Sequence, residues 1–261
     1  MNDWLHLAQG DAPLILSVPH AGIRMPDAVS SALVDPAAAL ADTDWHVEKL
    51  YSFARDLGAT LVSTAMSRIV VDVNRDPSGA SLYPGQATTG LCPTTSFDGT
   101  PLYRAGQEPD AAAVAARRAS FFDPYHSALD AEIARLRGLH GTVVVYDAHS
   151  IASRVPRLFD GELPAFNIGT NGGSACDAAL TERIASLCPE PRVVNGRFRG
   201  GWITRRIGNP AAGVHAVQME LAQRVYLDEP STEWNETHAA EARVTLRKVL
   251  EACIDFAAGR Q

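Results

Sequence analysis

Apolar runs of about five to eight residues, rich in Val and Ile, recur along the chain between longer stretches with helical apolar spacing. Short continuous runs suit strands buried on both faces, and the longer stretches suit covering helices. The alternation therefore predicts a largely parallel sheet flanked by helices. Strands are expected near 14–19, 59–63, 68–73, 142–147, 165–169, 191–194 and 214–220. Helices are expected near 44–57, with Thr43 as a cap, near 109–138, where Pro124 should break or kink the helix, near 174–188, and near 231–258, which opens on a Ser/Thr cap signal. Region 76–104 is dense in Gly, Pro, Ser and Thr and reads as a long loop, of the kind that serves as a lid or binding segment. No repeat, low-complexity tract or linker divides the sequence, so 1–261 reads as one α/β domain.

With 46% hydrophobic and 20% charged residues, the chain has the composition of an ordinary globular protein that buries a substantial core. Its 23 Lys+Arg against 30 Asp+Glu, a net charge of −7, argue against nucleic acid or an anionic membrane as partner. The start MNDWLHLAQGDAP has neither a cationic segment nor an apolar signal core, and no run approaches the roughly 18 apolar residues of a membrane helix, so a cytoplasmic location is expected. Cys92, Cys176, Cys188 and Cys253 show no CxxC spacing, which points away from a disulfide framework or a cysteine metal knuckle. Oligomeric state is left open.

Three apolar runs end in chemically capable residues: LILSVPHAG on His20, TVVVYDAHS on Asp147 and His149, and VHAVQMEL on Glu220. Ligands of α/β sheets gather at the carboxyl ends of the strands, so the three ends suggest one site. Two neutral imidazoles and a carboxylate suit a catalytic divalent metal, most simply Zn2+, with Glu220 as general base. The carboxylate is sought in DTDWHV among Asp42, Asp44 and His46 as competing third ligands, with Asp44 preferred. SRIVVDVNRDP places Arg68 at one end of an expected strand and Asp72, Asn74 and Arg75 at the other, where the Arg75 fork and Asn74 suit a substrate carboxylate. NGRFRGGWITRRIGNP gathers Arg197, Arg199, Arg205 and Arg206 around Gly200 and Gly201, a cluster suited to a substrate with more than one carboxylate, the glycines permitting close approach to it.

PHAG at 19–22, DTDWHVEKLY at 42–51, VDVNRDPSG at 71–79, LYPG at 82–85, YDAHS at 146–150, GRFRGGWITRRIG at 196–208 and QMEL at 218–221 occur in order over nearly the whole chain. Together they resemble the N-formylglutamate amidohydrolase family, in particular its histidine-degradation deformylase branch. The resemblance implies hydrolysis of N-formyl-L-glutamate to formate and L-glutamate, the last step of a histidine degradation route, and a fold similar to the zinc-dependent exopeptidases and aspartoacylases. In that wider superfamily's pattern, His20 and His149 correspond to metal ligands, Asn74 and Arg75 to the pair that grips the substrate carboxylate, and Glu220 to the catalytic Glu. One departure stands out: the pattern has an acidic ligand three residues after the first His, where this chain has Ile23, so Asp44 is assigned that role. Metal on His20, Asp44 and His149 then activates a water, Glu220 moves its proton, and Arg75 with one or more of Arg197, Arg199 and Arg205 holds a small dianionic substrate. Competing readings are an amidohydrolase acting on another N-acyl or N-formyl amino acid, and a non-catalytic binding protein for acidic amino acids. A serine hydrolase is disfavoured because no GxSxG elbow is present.

Overall fold

Seven strands make one mixed sheet in the computed structural model, which describes residues 3–81, 85 and 88–260. In chain order they are β1 (Leu5–Ala8), β2 (Leu14–Val18), β3 (Thr60–Thr64), β4 (Val143–Ile151), β5 (Phe166–Gly169), β6 (Arg192–Val194) and β7 (Val214–Ala222). Their spatial order is β1-β3-β2-β4-β7-β5-β6. The central run β3-β2-β4-β7 is parallel, while β1 on β3 and β5 on β7 are antiparallel. Every residue of β2, β4 and β7 is buried, which is why apolar residues stand on both faces of these strands before the polar residues at their carboxyl ends.

The two faces carry separate cores. On one, Leu14, Leu16, Val144, Tyr146, Val217 and Met219 pack against α5 (Ala178–Leu187) and α7 (Glu236–Ala257). On the other, Ile15, Val143, Val145 and Ala216 meet α4 (Asp123–His140) and α6 (Trp202–Ile207) through Tyr125, Leu129, Leu136, Ile203 and Ile207. Short helices α1 (Asp27–Ser30) and α2 (Val47–Leu50), helix α3 (Ala111–Arg117) and the ribbon of β8 (Leu227–Asp228) and β9 (Glu233–Trp234) complete the molecule. Among the described residues no helix is long and apolar enough to cross a membrane.

Several expectations need correction. The strand expected at 68–73 does not exist. Ile69, Val71 and Val73 are buried, but Val70 N–H turns back to Ser67 O and Arg75 N–H to Asp72 O, so the apolar run reports burial rather than extension. The seventh strand is instead β1, whose half-exposed LHLA carries too little apolar signal. The helix expected at 44–57 is only α2 followed by a 3-10 turn over Ser52–Leu57, and Thr43 caps neither; His46, at φ 60, starts the helix from a left-handed conformation. Helix 109–138 is interrupted as expected near Pro124. The interruption is a π-turn over Arg118–Phe122 joining α3 to α4, consistent with a proline that has no N–H for the ladder. The helix expected at 174–188 begins at Ala178, capped by Asp177. The last helix is capped by Asn235, because Glu233 and Trp234 pair with β8 before it can start. In the LYPG block, Leu82, Tyr83 and Pro84 lie outside the described residues.

Candidate metal centre

Side chains two apart on a strand share a face, and along one face of the sheet the chemistry changes toward the carboxyl ends. Ile15 gives way to Ser17, Val145 to Asp147 and His149, and Ala216 to Gln218 and Glu220. The parallel register sets Ser17 beside Asp147, Asp147 beside Gln218 and His149 beside Glu220. His20 follows β2 and Pro19. Its turn depends on Gly22, where a Cβ would come within 2.4–2.5 Å of the backbone at Thr64, Ala65 and Met66.

His20, Asp44 and His149 each direct one ligand atom to a common point, all within 4.8 Å of one another, and all three residues are buried. His20 Nδ1 lies 3.1 Å from His149 Nδ1, which lies 3.1 Å from Asp44 Oδ2. The opposite ring nitrogens are committed: His20 Nε2 is 2.7 Å from Asp72 Oδ1, and His149 Nε2 is 2.9 Å from Asp147 Oδ2. Neutral rings that carry their protons on the carboxylate-facing Nε2 would turn two Nδ1 lone pairs toward the Asp44 carboxylate, while the Asn74 amide also reaches His149 Nε2 at 2.9 Å. Asp44 Oδ1 is also buried without a hydrogen bond. What such a donor set lacks is a cation, so the residues fit a divalent metal, and the histidine–carboxylate pairs are the partners that orient metal-binding imidazoles. Without a metal the deficit falls on His149. Burial alone would lower its pKa, but Asp147 and Asp44 outweigh that and raise it well above the ordinary value.

Of the three candidates in DTDWHV, Asp44 joins the cluster. Its backbone N–H donates to His20 O and its Oδ2 accepts from Ser150 N–H. The segment is held from β7's far end, where Tyr226 donates to Trp45 O and Gln223 to Thr43 O, two residues the sequence gave no reason to single out. Asp42 turns away to accept from Phe97 N–H, and burial pushes its carboxyl up to about 6. His46 Nε2 pairs with Thr232 O.

The segment 68–75 surrounds the centre from the other side. Arg68 Nη2 donates to Asp72 Oδ2 at 2.7 Å, and its Nη1 is 3.5 Å from Asp44 Oδ1. Burial would raise the Asp72 carboxyl, but His20, Arg68 and Arg75 hold it well below the usual range. Asn74 lies at the site with its amide engaged on both sides: Oδ1 accepts Ile203 N–H, and Nδ2 donates to Asp147 Oδ2. It braces the start of α6 against the carboxylate behind His149. The close approach that Gly201 allows is likewise to the Asn74 amide, 2.4–2.6 Å from where a Cβ would be, rather than to a ligand as expected from the glycine pair.

Beside the centre opens a cleft lined by His20, His149, Glu220, Arg68, Arg75 and Arg197, with Phe97 and Phe198 among its walls. Phe97 comes from the long loop, as does Thr89, which accepts from Arg75. Arg197 donates through Nε to Leu158 O. Arg199 and Arg205 are not among the described lining residues: Arg199 is exposed and Arg205 donates to Gly200 O, shaping the loop, while Arg206 pairs with Asp130 on α4. Glu220 is buried, and desolvation pushes its carboxyl up to about 8, against the opposing pull of His149.

If Asp147 orients His149, Asp147→Asn should weaken metal binding about 10–100-fold, measured by competition with a chelating indicator. Unchanged affinity would remove Asp147 from the site.

A profile of the N-formylglutamate amidohydrolase family matches residues 12–227. The chain is 46% identical to the N-formylglutamate deformylase of Pseudomonas putida, over 100% of this chain and 99% of that one. It is 47% identical to the N-formylglutamate deformylase of Pseudomonas aeruginosa, over 97% of each. Its fold matches the crystal structure of N-formylglutamate amidohydrolase from Ralstonia eutropha JMP134 with a TM-score of 0.78 and 25% identity, over 97% of each chain.

Proposed function

The chain belongs to the N-formylglutamate amidohydrolase family, and from that premise we propose that it hydrolyses N-formyl-L-glutamate to formate and L-glutamate at the cleft beside His20, Asp44 and His149. The observation that carries this reading is the convergence of two imidazole Nδ1 atoms and a carboxylate beside a buried Glu, in a cleft with arginines suited to a dianion. His20, Asp44 and His149 would hold a divalent metal, with zinc suited to two imidazoles and a carboxylate, and when bound it would supply Lewis acidity that lowers a water's pKa and polarises a carbonyl.

The chain's own residues do the rest. Glu220 Oε2 is occupied by the Gln218 amide. With its carboxylate steadied by that contact, Glu220 takes the proton from the attacking water and returns it to the amide nitrogen as the C–N bond breaks, leaving formate and the free amine. Arg75 and Arg197 bind the two carboxylates of the glutamyl group and set the formyl carbon over the centre. Charge-assisted hydrogen bonds contribute about 1.5–3 kcal/mol each, enough to select a dianion over a neutral amide. Arg75 is kept in place by Thr89 and by Asp72, 3.6 Å from its Nε. His149 and Glu220 are buried at the cleft, which limits the competition of bulk water for these charges.

Arg75→Ala and Arg197→Ala should each raise KM for N-formylglutamate about 10–100-fold, the equivalent of one charge-assisted bond. N-formylglutamine, which lacks the side-chain carboxylate, separates their roles. Arg197→Ala is expected to spare that substrate and Arg75→Ala to harm both. Equal loss on both substrates for both variants would move side-chain recognition elsewhere in the cleft. Turnover on N-acetylglutamate matching that on N-formylglutamate would overturn the assignment of a deformylase in favour of a broader amidohydrolase.

A further inference from the structure

Gln218 is buried on β7, two residues before Glu220 and on the same face. Both ends of its amide are used. Oε1 accepts Gly201 N–H at 2.6 Å, and Nε2 donates to Glu220 Oε2 at 3.0 Å. A backbone N–H is a donor only, so the contact with Gly201 fixes which way the amide faces, and Nε2 must point to the carboxylate. Gly201 stands just before α6 and ends the segment that brings Arg197 and Phe198 to the cleft.

We infer that Gln218 is a positioning residue for the hydrolysis: it holds the Glu220 carboxylate in one orientation and ties that orientation to the Arg197-bearing segment that meets the substrate. This rests on Glu220 being the base. A glutamine suits both contacts at once. A Met would strand the Gly201 N–H and free the Glu220 carboxylate to rotate. A Glu would still accept from Gly201 but would set a second carboxyl against Glu220, where the amide now donates. The alternative is that Gln218 only satisfies a buried backbone donor, in which case its loss would act on the fold and not through Glu220.

The test is steady-state formate release by the metal-loaded full chain carrying Gln218→Glu, Gln218→Met, Glu220→Gln or Gln218→Met with Glu220→Gln, with metal content measured for each. Gln218→Glu should lower kcat about tenfold or more with KM near that of the unsubstituted protein, because the contact with Gly201 survives. Gln218→Met should lower kcat similarly and also raise KM. In the Glu220→Gln background, Gln218→Met should lower kcat no further, since a residue acting through Glu220 has nothing left to act on. An unchanged kcat for Gln218→Glu would overturn the inference, as would a full additional loss from Gln218→Met on top of Glu220→Gln. If Gln218→Met does not fold, the near-isosteric Gln218→Glu decides alone. Normal turnover by Glu220→Gln would overturn the base assignment and this inference together, whereas inactive Glu220→Gln with unimpaired Gln218 variants would overturn this inference only.

Discussion

Glu220→Gln should leave the protein folded, metal-loaded and able to bind substrate while lowering turnover by a factor of about 10² or more, roughly 2.7 kcal/mol of barrier. The amide keeps the volume of the side chain and its place on β7 but cannot take a proton from water. The pH dependence carries the sign of the effect. Burial raises the Glu220 carboxyl to about 8 without a metal, and a bound cation pulls it lower, so the base ionises as pH rises. The acid limb of kcat/KM, on which the rate climbs with pH, should therefore vanish in the Gln variant's residual activity. Turnover within a few-fold of the unsubstituted protein would remove Glu220 from the chemistry.

The second large effect is at the three converging donors. His20→Ala or His149→Ala should abolish both metal retention and formate release, since each removes one of the three donors. Loss of His149 also leaves Asp44 and Asp147 buried without the ring between them, and an uncompensated buried charge is strongly destabilising. Thermal unfolding must therefore accompany the assay. Asp44→Asn removes a donor carboxylate while keeping the side chain's volume, and Arg68 retains Asp72 as its partner, so the same loss is expected with a smaller cost to stability. A full metal complement with normal turnover in these variants would mean the site is misassigned.

Much of this site was legible because its residues terminate strands. His20, His149 and Glu220 follow apolar runs that do form β2, β4 and β7, and strand ends in a parallel sheet converge. Asp44 was legible only as one of three, since the sequence cannot show that Asp42 turns to Phe97 and His46 to Thr232. Asp147 and Asp72, the carboxylates behind the two imidazoles, differ in how far the sequence shows them. Asp147 stands two residues before His149 on one strand face, so its spacing carried the signal, whereas Asp72 reaches His20 from a coiled segment whose apolar residues imitate a strand. Arg199 and Arg205 lie in the same cationic segment as Arg197, but Arg197 lines the cleft while Arg199 is exposed and Arg205 donates to Gly200 O, a difference that composition does not show. The two amides that brace α6, Asn74 and Gln218, depend on contacts between segments remote in sequence, and no local pattern announces them.

Hydrolysis of N-formyl-L-glutamate is expected to depend on a metal at His20, Asp44 and His149. The most direct measurement is formate release by the protein stripped with a chelator, checked by elemental analysis and then titrated with a divalent ion. Activity is expected to disappear on stripping and to return in proportion to metal bound, reaching its plateau at about one ion per chain. Undiminished formate release by folded protein holding almost no metal would show that the hydrolysis needs none.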